Sequence, residues 1–329
     1  ASIVNDSAYK TSAIESIGKP ETIDLDGPAG ISAFMGDIHG TAFPSAVIIA
    51  STFSKDMAYK MGTMVGNEGL EYGVSGWYAP AVNIHRSPFA GRNFEYYSED
   101  PVLSGKIGTE AVSGAASKGV YSYVKHYALN DQETNRNNDG VATWANEQTI
   151  REIYLKPFEM VTKDAKTKIQ YISDHQGTVS EKEIMATTAF MSSFNRIGSV
   201  WTGGSYPLMQ TVLRDEWGFK GCVITDFNLY PHMYVNQAMA AGSDINITFA
   251  AMKPIEDIES PTAVTQLRTI AHRLLYMVVN SNAMNGIVPG SSISYTMAPW
   301  RIGLIIADII IGLIVIGGIL LYMKKKKTK

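Results

Sequence analysis

Six polar residues of the sequence directly follow, or lie within loops after, apolar runs that read as strands: Asp26, Arg92, Lys125, His126, Asp226 and Asp244. If those runs form one parallel sheet in a barrel, the six collect at its C-terminal face, where barrel enzymes place their chemistry. The set mixes carboxylates with cations. No Gly-rich phosphate loop, His-Glu-x-x-His or Gly-x-Ser-x-Gly accompanies it. Such a mixture suits a sugar: short carboxylates accept from hydroxyl pairs, Arg and Lys donate to others, and one carboxylate attacks the anomeric carbon. Taken singly, each residue also has a structural reading. Asp226 caps a helix, Asp26 makes an Asx-turn, Arg92 and Arg136 form surface ion pairs, and Lys125 with His126 ends a strand. The single cysteine, Cys222, excludes an intramolecular disulfide framework and a Cys-based zinc site.

The elements that must position these residues alternate between helical and strand patterns. Ser54 is placed to cap a helix through about Tyr72, with Met57, Met61, Met64 and Val65 on one face. Further helices are expected at Pro101 to Lys118, Glu147 to Ala165, Pro207 to Trp217, His232 to Ala241 and Pro261 to Asn280. Strands are expected at Trp77 to Ile84, Tyr121 to Lys125, Ile184 to Met191, Cys222 to Thr225 and Asp244 to Ile247. Repeated βα units imply a parallel sheet, and their number suits an α/β protein with a nearly complete TIM-like (β/α)8 barrel over residues 1–286.

Charge divides the chain differently. From Arg301 onward there are six basic residues and one acid, whereas residues 1–300 carry 22 Lys+Arg against 30 Asp+Glu. An acidic body argues against a nucleic-acid partner, which needs clustered cations to displace counterions. Ile302 to Met323 is 22 residues whose only charge is Asp308. At 1.5 Å per residue it spans roughly 33 Å, enough for a hydrocarbon core of ~30 Å. Trp300 and Tyr322 lie near its ends, and Lys324, Lys325, Lys326, Lys327 and Lys329 follow. The expectation is a Gly, Pro and Ser-rich linker at 287–300, a transmembrane helix at 301–323 in contact with membrane lipid, and a cytoplasmic tail at 324–329. That orientation leaves the barrel outside the cell. Ala1 is not an initiator Met, and the opening residues lack a basic n-region and an apolar run. They read as no signal peptide, in a chain processed or cut from something longer.

Several segments resemble glycoside hydrolase family 3, in its β-glucosidase branch. They are Asp26-Gly27-Pro28-Ala29-Gly30, Ala79-Pro80-Ala81-Val82-Asn83-Ile84, and Gly91-Arg92-Asn93-Phe94-Glu95 leading to Ser98-Glu99-Asp100-Pro101. Next come Lys125-His126-Tyr127-Ala128-Leu129-Asn130-Asp131-Gln132-Glu133, Arg151-Glu152-Ile153-Tyr154-Leu155 and Met191-Ser192-Ser193-Phe194-Asn195-Arg196. Leu213-Arg214-Asp215-Glu216-Trp217-Gly218-Phe219 through Thr225-Asp226 completes the set, in the family's order and spacing over roughly residues 20 to 280.

The resemblance implies a retaining exo-β-glycosidase that releases terminal β-D-glucosyl residues through a covalent glycosyl-enzyme on Asp226. It implies that Asp26, Arg92, Lys125, His126 and Arg136 hold the hydroxyls of the sugar, with Phe194 beside them. Glu95, Glu99 and Asp100 read as caps of the helix that begins near Pro101. Two positions depart from the family: Ser32 stands where many members have Arg, and Phe194 where many have Tyr. The acid/base that must protonate the leaving oxygen is, in this branch, a Glu of a separate α/β sandwich domain, outside this chain. The N-acetylglucosaminidase branch uses a His in a Lys-His-Phe-Pro-Gly-His-Gly segment, which Lys125 to Asn130 does not match. The arrangement is that of a domain-permuted, membrane-anchored member whose sandwich domain precedes the barrel, and 1–329 alone is then a weak catalyst. No metal or organic cofactor is required, because carboxyl groups carry both steps. A β-xylosidase or other exo-glycosidase of the family, and a non-catalytic cell-surface carbohydrate-binding homologue, are the alternatives.

Overall fold

The apolar runs that begin at Tyr121, Ala189 and Cys222 form three adjacent strands of one parallel sheet in the computed structural model of the chain, which describes residues 8–34, 36–137, 139–248, 254–284 and 297–327. In chain order the strands are β1 (Lys10–Thr11), β2 (Thr22–Leu25), β3 (Gly76–Trp77), β4 (Ala81–Ile84), β5 (Tyr96–Ser98), β6 (Tyr121–Tyr127), β7 (Ala142–Thr143), β8 (Lys166–Ile172), β9 (Val179–Met185), β10 (Ala189–Ser192), β11 (Arg196–Ile197), β12 (Val200–Trp201) and β13 (Cys222–Ile224). The main sheet runs β1-β2-β3-β6-β10-β13, and β4 pairs with both β5 and β6. All its pairings are parallel except β1 on β2.

Side chains alternate across this sheet with period two. Tyr121, Tyr123, Ala189, Met191, Cys222 and Ile224 enter one apolar cluster, whereas Val124, Phe190 and Val223 enter another. The second lies under the helices, with Ile107 and Val112 of α3 (Pro101–Ala116), Phe158 and Val161 of α4 (Lys156–Asp164), and Leu213 of the π-helix Pro207–Glu216. Covering both faces is what a parallel sheet requires. The remaining helices of this unit are α1 (Ala46–Ser51), α2 (Lys55–Tyr72), α5 (Val235–Ala241) and α6 (Pro261–Val279).

Ser54 caps α2 as its position suggests, accepting from Met57 N at 3.3 Å. The buried face of α2 differs from the expected one. Met61 and Val65 are buried, but Met57 and Met64 are about half exposed. Small residues decide this: Gly62 of α2 and Gly114 of α3 let the two backbones touch. A Cβ at Gly62 would meet the Ala111 carbonyl, and one at Gly114 the Tyr59 carbonyl.

Other boundaries also shift. The run Trp77 to Ile84 is two strands, divided at Pro80. The helix expected at Glu147 to Ala165 is one turn at Glu147–Thr149, a π-turn at Ile150–Tyr154, and α4, where Pro157 in the first turn permits a new start. The strand expected at Ile184 to Met191 is two elements. Met185 ends β9, which pairs antiparallel with β8 in an exposed hairpin, and β10 starts at Ala189. The hairpin turn is held by Asp174, whose Oδ1 accepts from Gln176 N and Thr178 N. Helix α5 starts at Val235, so His232 lies in the preceding loop.

The expected nearly complete (β/α)8 barrel is, among the described residues, an open half-barrel sheet. Beyond β13, where a strand is expected at Asp244 to Ile247, there is a single parallel bridge, Ile224 to Ile245. The chain divides into two compact units, Ala1–Asn285 and Gly286–Lys329. In the second, α7 (Pro299–Lys327) has a mean hydropathy of 2.9 over its most apolar window and is long enough to cross a membrane. It continues through Lys324 to Lys327, so this part of the expected tail is helical. Most of the expected linker, residues 287–296, lies outside the described residues.

Candidate active site

Strand register builds the centre of the site. Phe190 of β10 is level with Val124 of β6 and with Val223 of β13. His126 lies two residues beyond Val124 and Asp226 three beyond Val223, so both reach the same end of the sheet, one strand apart. Their side chains face each other, with His126 Nε2 3.7 Å from Asp226 Oδ2. The backbone on either side of Asp226 is tied to the following segment: Thr225 N donates to Ile245 O at 2.8 Å and Asn228 N to Ile247 O at 2.7 Å. On β4, Asn83 clamps β6 at the same level, accepting from His126 N at 2.6 Å and donating to His126 O at 2.9 Å.

Asp226 Oδ1 accepts from the Phe227 N–H at 2.7 Å. Oδ2 is buried with no hydrogen-bond partner among the described residues. Burial pushes the Asp226 carboxyl up to about 6, although Arg92, the Phe227 N–H, Lys125 and Arg136 all favour its ionised form. Arg92 Nη2 donates to His126 Nε2 at 2.9 Å, so that nitrogen holds the lone pair and Nδ1 carries the proton. Burial, then Arg92, Lys125 and Arg136, hold the imidazole well below its ordinary pKa, which keeps it neutral. Its Nδ1 has no partner among the described residues either.

The cations are held by acids. Arg92 stands on the loop between β4 and β5, one residue before the 3₁₀ turn Asn93–Glu95, and its Nε donates to Glu95. Lys125 Nζ lies 3.7 Å from the other Glu95 oxygen. Glu133 pairs with Arg136 at 2.5 Å and lies 3.8 Å from Arg92 Nη1. The Arg136 guanidinium sits over the Phe194 ring, 4.4 Å from its centroid. On the far side, Asp26 follows β2, where the left-handed Gly27 carbonyl accepts from Trp77 Nε1 at 2.6 Å. Tyr9 lies close enough to Asp26 to feel its charge, and its backbone is left-handed at φ 68°. Burial and then the Asp26 charge keep that phenol protonated, and the Asp226 charge reaches it too.

The structure therefore brings Asp226, His126, Arg92, Lys125, Arg136 and Phe194 together, with Tyr9 in the field of both Asp26 and Asp226. It removes Asp244. That carboxylate accepts from Val223 N and Arg214 Nη2 at 2.7 Å and from Arg273 Nη1 at 3.0 Å, at the start of β13 rather than its end. Its charge is spent on structure. Glu95 is corrected as well: Asp100 alone caps α3, accepting from Val102 N at 2.7 Å and Leu103 N at 2.8 Å, while Glu99 is exposed and makes no cap bond. Asn83, Glu133 and Tyr9 carry no role in the sequence reading. The first two lie inside the recognisable segments and the third in none.

Residues 2–272 match the Glycosyl hydrolase family 3 N terminal domain. The chain belongs to glycosyl hydrolase family 3. It is similar to beta-glucosidase A of Butyrivibrio fibrisolvens, 38% identical over 232 residues that make up 70% of this chain and 25% of that protein. It is 34% identical over 230 residues to an exo-alpha-(1->6)-L-arabinopyranosidase of Bifidobacterium longum, covering 67% of this chain and 28% of that one. Beta-glucosidase 3B of Thermotoga neapolitana in complex with glucose superposes with a TM-score of 0.70 at 31% identity, covering 83% of this chain and 37% of the other. The family 3 chain thus spans about a quarter of the length of the curated relatives it matches.

Proposed function

We propose that the protein containing this chain is a retaining exo-β-glycosidase of the β-glucosidase type, acting on terminal non-reducing β-D-glucosyl residues. The observation that carries the reading is the buried Asp226 carboxylate, one oxygen without a hydrogen-bond partner among the described residues, in the field of Arg92, Lys125 and Arg136. In the first step Asp226 attacks the anomeric carbon. The glycosidic bond breaks, and the leaving oxygen takes a proton from a carboxylic acid supplied by a preceding α/β sandwich domain. In the second step water attacks the same carbon, gives its proton to that group, and Asp226 is released. Asp26, Arg92, Lys125, His126 and Arg136 hold the sugar hydroxyls: the cations and the His126 Nδ1–H donate, and Asp26 accepts. Neither step calls for a metal or organic cofactor.

The same reading assigns residues 1–286 to a nearly complete TIM-like barrel, 287–300 to a linker, 301–323 to a single membrane span and 324–329 to a cytoplasmic tail. The apolar α7 and its lysines support the tether. The similarity to an arabinopyranosidase favours a second reading, an exo-glycosidase for a pentose such as xylose.

The test is to incubate the full-length protein with 2,4-dinitrophenyl 2-deoxy-2-fluoro-β-glucoside, whose leaving group needs no acid, and to map the labelled peptide. Labelling of Asp226 is the expected result. Faster labelling by the xyloside selects the second reading. Sugar binding without labelling makes the protein a carbohydrate-binding homologue and sinks the proposal.

A further inference from the structure

We propose that Glu95 is a positioning residue of the sugar site, a buried anion that holds Arg92 and Lys125 in place and cancels part of their charge at Asp226. The inference rests on the reading of Asp226 as nucleophile. The Glu95 side chain is only 4% exposed, and each of its oxygens faces a different cation: Arg92 Nε donates to one, and Lys125 Nζ lies 3.7 Å from the other. Arg92 comes from the carboxylate's own turn and Lys125 from β6, so Glu95 ties two separate elements. Helix capping needs neither cation, and a carboxylate so buried is costly unless its partners are fixed.

The linkage continues inward. Arg92 donates to His126 Nε2 at 2.9 Å, and His126 faces Asp226 at 3.7 Å. Around Asp226 the charged and titratable groups are Arg92, Lys125, His126, Arg136 and, from the Asp26 side, Tyr9. Around Glu95 they are Arg92, Lys125 and the phenol of Tyr96. Glu133 balances Arg136 and lies near Arg92, but no ion pair joins it to Lys125. Glu95 is thus the acid that Lys125 pairs with among the described residues. Neutralising it leaves more positive potential on Asp226, which favours the ionised nucleophile and lowers the pH at which it gains its proton.

The test is Glu95→Gln in the full-length protein, with the rate of Asp226 labelling by the dinitrophenyl fluoroglucoside measured against pH. The acid limb is expected to move down by about one pH unit. Above pH 7 the rate is expected to fall roughly tenfold as both cations lose their anchor. Glu95→Asp keeps the charge and returns the limb to the wild-type position. A folded Glu95→Gln protein with a wild-type limb overturns the proposal. Where Glu95→Gln does not fold, Lys125→Met is compared with the double variant Glu95→Gln/Lys125→Met. The single variant is expected to raise the limb and the double to bring it back, and identical limbs overturn the proposal. Absence of labelling at Asp226 in the wild type is the separate failure, that of the nucleophile itself.

Discussion

Asp226 and Asp244 are two buried aspartates near opposite ends of one short strand, each with arginines close by. At Asp244 every strong donor is engaged: Arg214 and the Val223 N–H meet one oxygen and Arg273 the other. At Asp226 the Phe227 N–H meets one oxygen, while Arg92, Lys125 and Arg136 act on the carboxylate through space and the second oxygen has no hydrogen-bond partner among the described residues. The difference separates a carboxylate whose charge is consumed by the fold from one whose charge remains available. A buried carboxylate left open costs stability, and such a cost is commonly met where a reacting group must be accommodated.

The comparison breaks most sharply by substitution at the two ends. Asp226→Asn is expected to reduce fluoroglucoside labelling and turnover by about 10⁴-fold or more, as for other essential nucleophiles. Its stability at pH 7 should hold or rise by about 1–2 kcal/mol in urea unfolding, because a neutral amide replaces a disfavoured buried charge. Asp244→Asn should do the reverse. Leaving Arg214 and Arg273 underpaired is expected to cost about 3 kcal/mol in urea unfolding, with labelling per folded molecule nearly unchanged. Equal stability losses in the two variants would erase the distinction.

Smaller effects sharpen it. Asp226 binds its proton more tightly folded than unfolded, so its contribution to stability is present at low pH and is lost as pH rises through about 6. Function moves oppositely, since only the ionised form attacks. The labelling rate should fall about tenfold for each pH unit below 6, read from a pH series on the wild-type protein. Tyr9→Phe removes a hydroxyl that lies in the field of both Asp26 and Asp226, and labelling is expected to slow about fivefold, in keeping with the loss of about 1 kcal/mol. A variant that labels at the wild-type rate would remove Tyr9 from the sugar site.

The parallel core is legible because short apolar runs announce themselves, as at Tyr121 to Lys125 and Cys222 to Thr225. Less visible was the way short strands end. Pro80 divides one run, and the hairpin of β8 and β9 occupies a stretch where strand and turn signals were present at Lys166–Ile172 and Asp174 to Gly177. On α2 the methionines fit an apolar helical pattern, but close backbone contact with α3 puts the glycine face against it and leaves Met57 and Met64 half exposed. At the site, the recognisable segments mark which residues are present but not which of them pair. Glu95 and Asp100 look alike as acids before a helix, and only burial shows one to be a counter-ion and the other a cap.

The amino-acid sequence by itself determined which chemical groups are present, the family they belong to, and the apolar C-terminal helix with its lysines. Those properties are local: residue type, spacing and hydropathy need no neighbour to define them. Only the tertiary structure decided which carboxylate is free. That choice depends on register between β6, β10 and β13 and on which arginines engage Asp244, while Asp226 Oδ2 has no partner among the described residues. A side chain's charge is written in the sequence, but its availability is set by what the fold places against it.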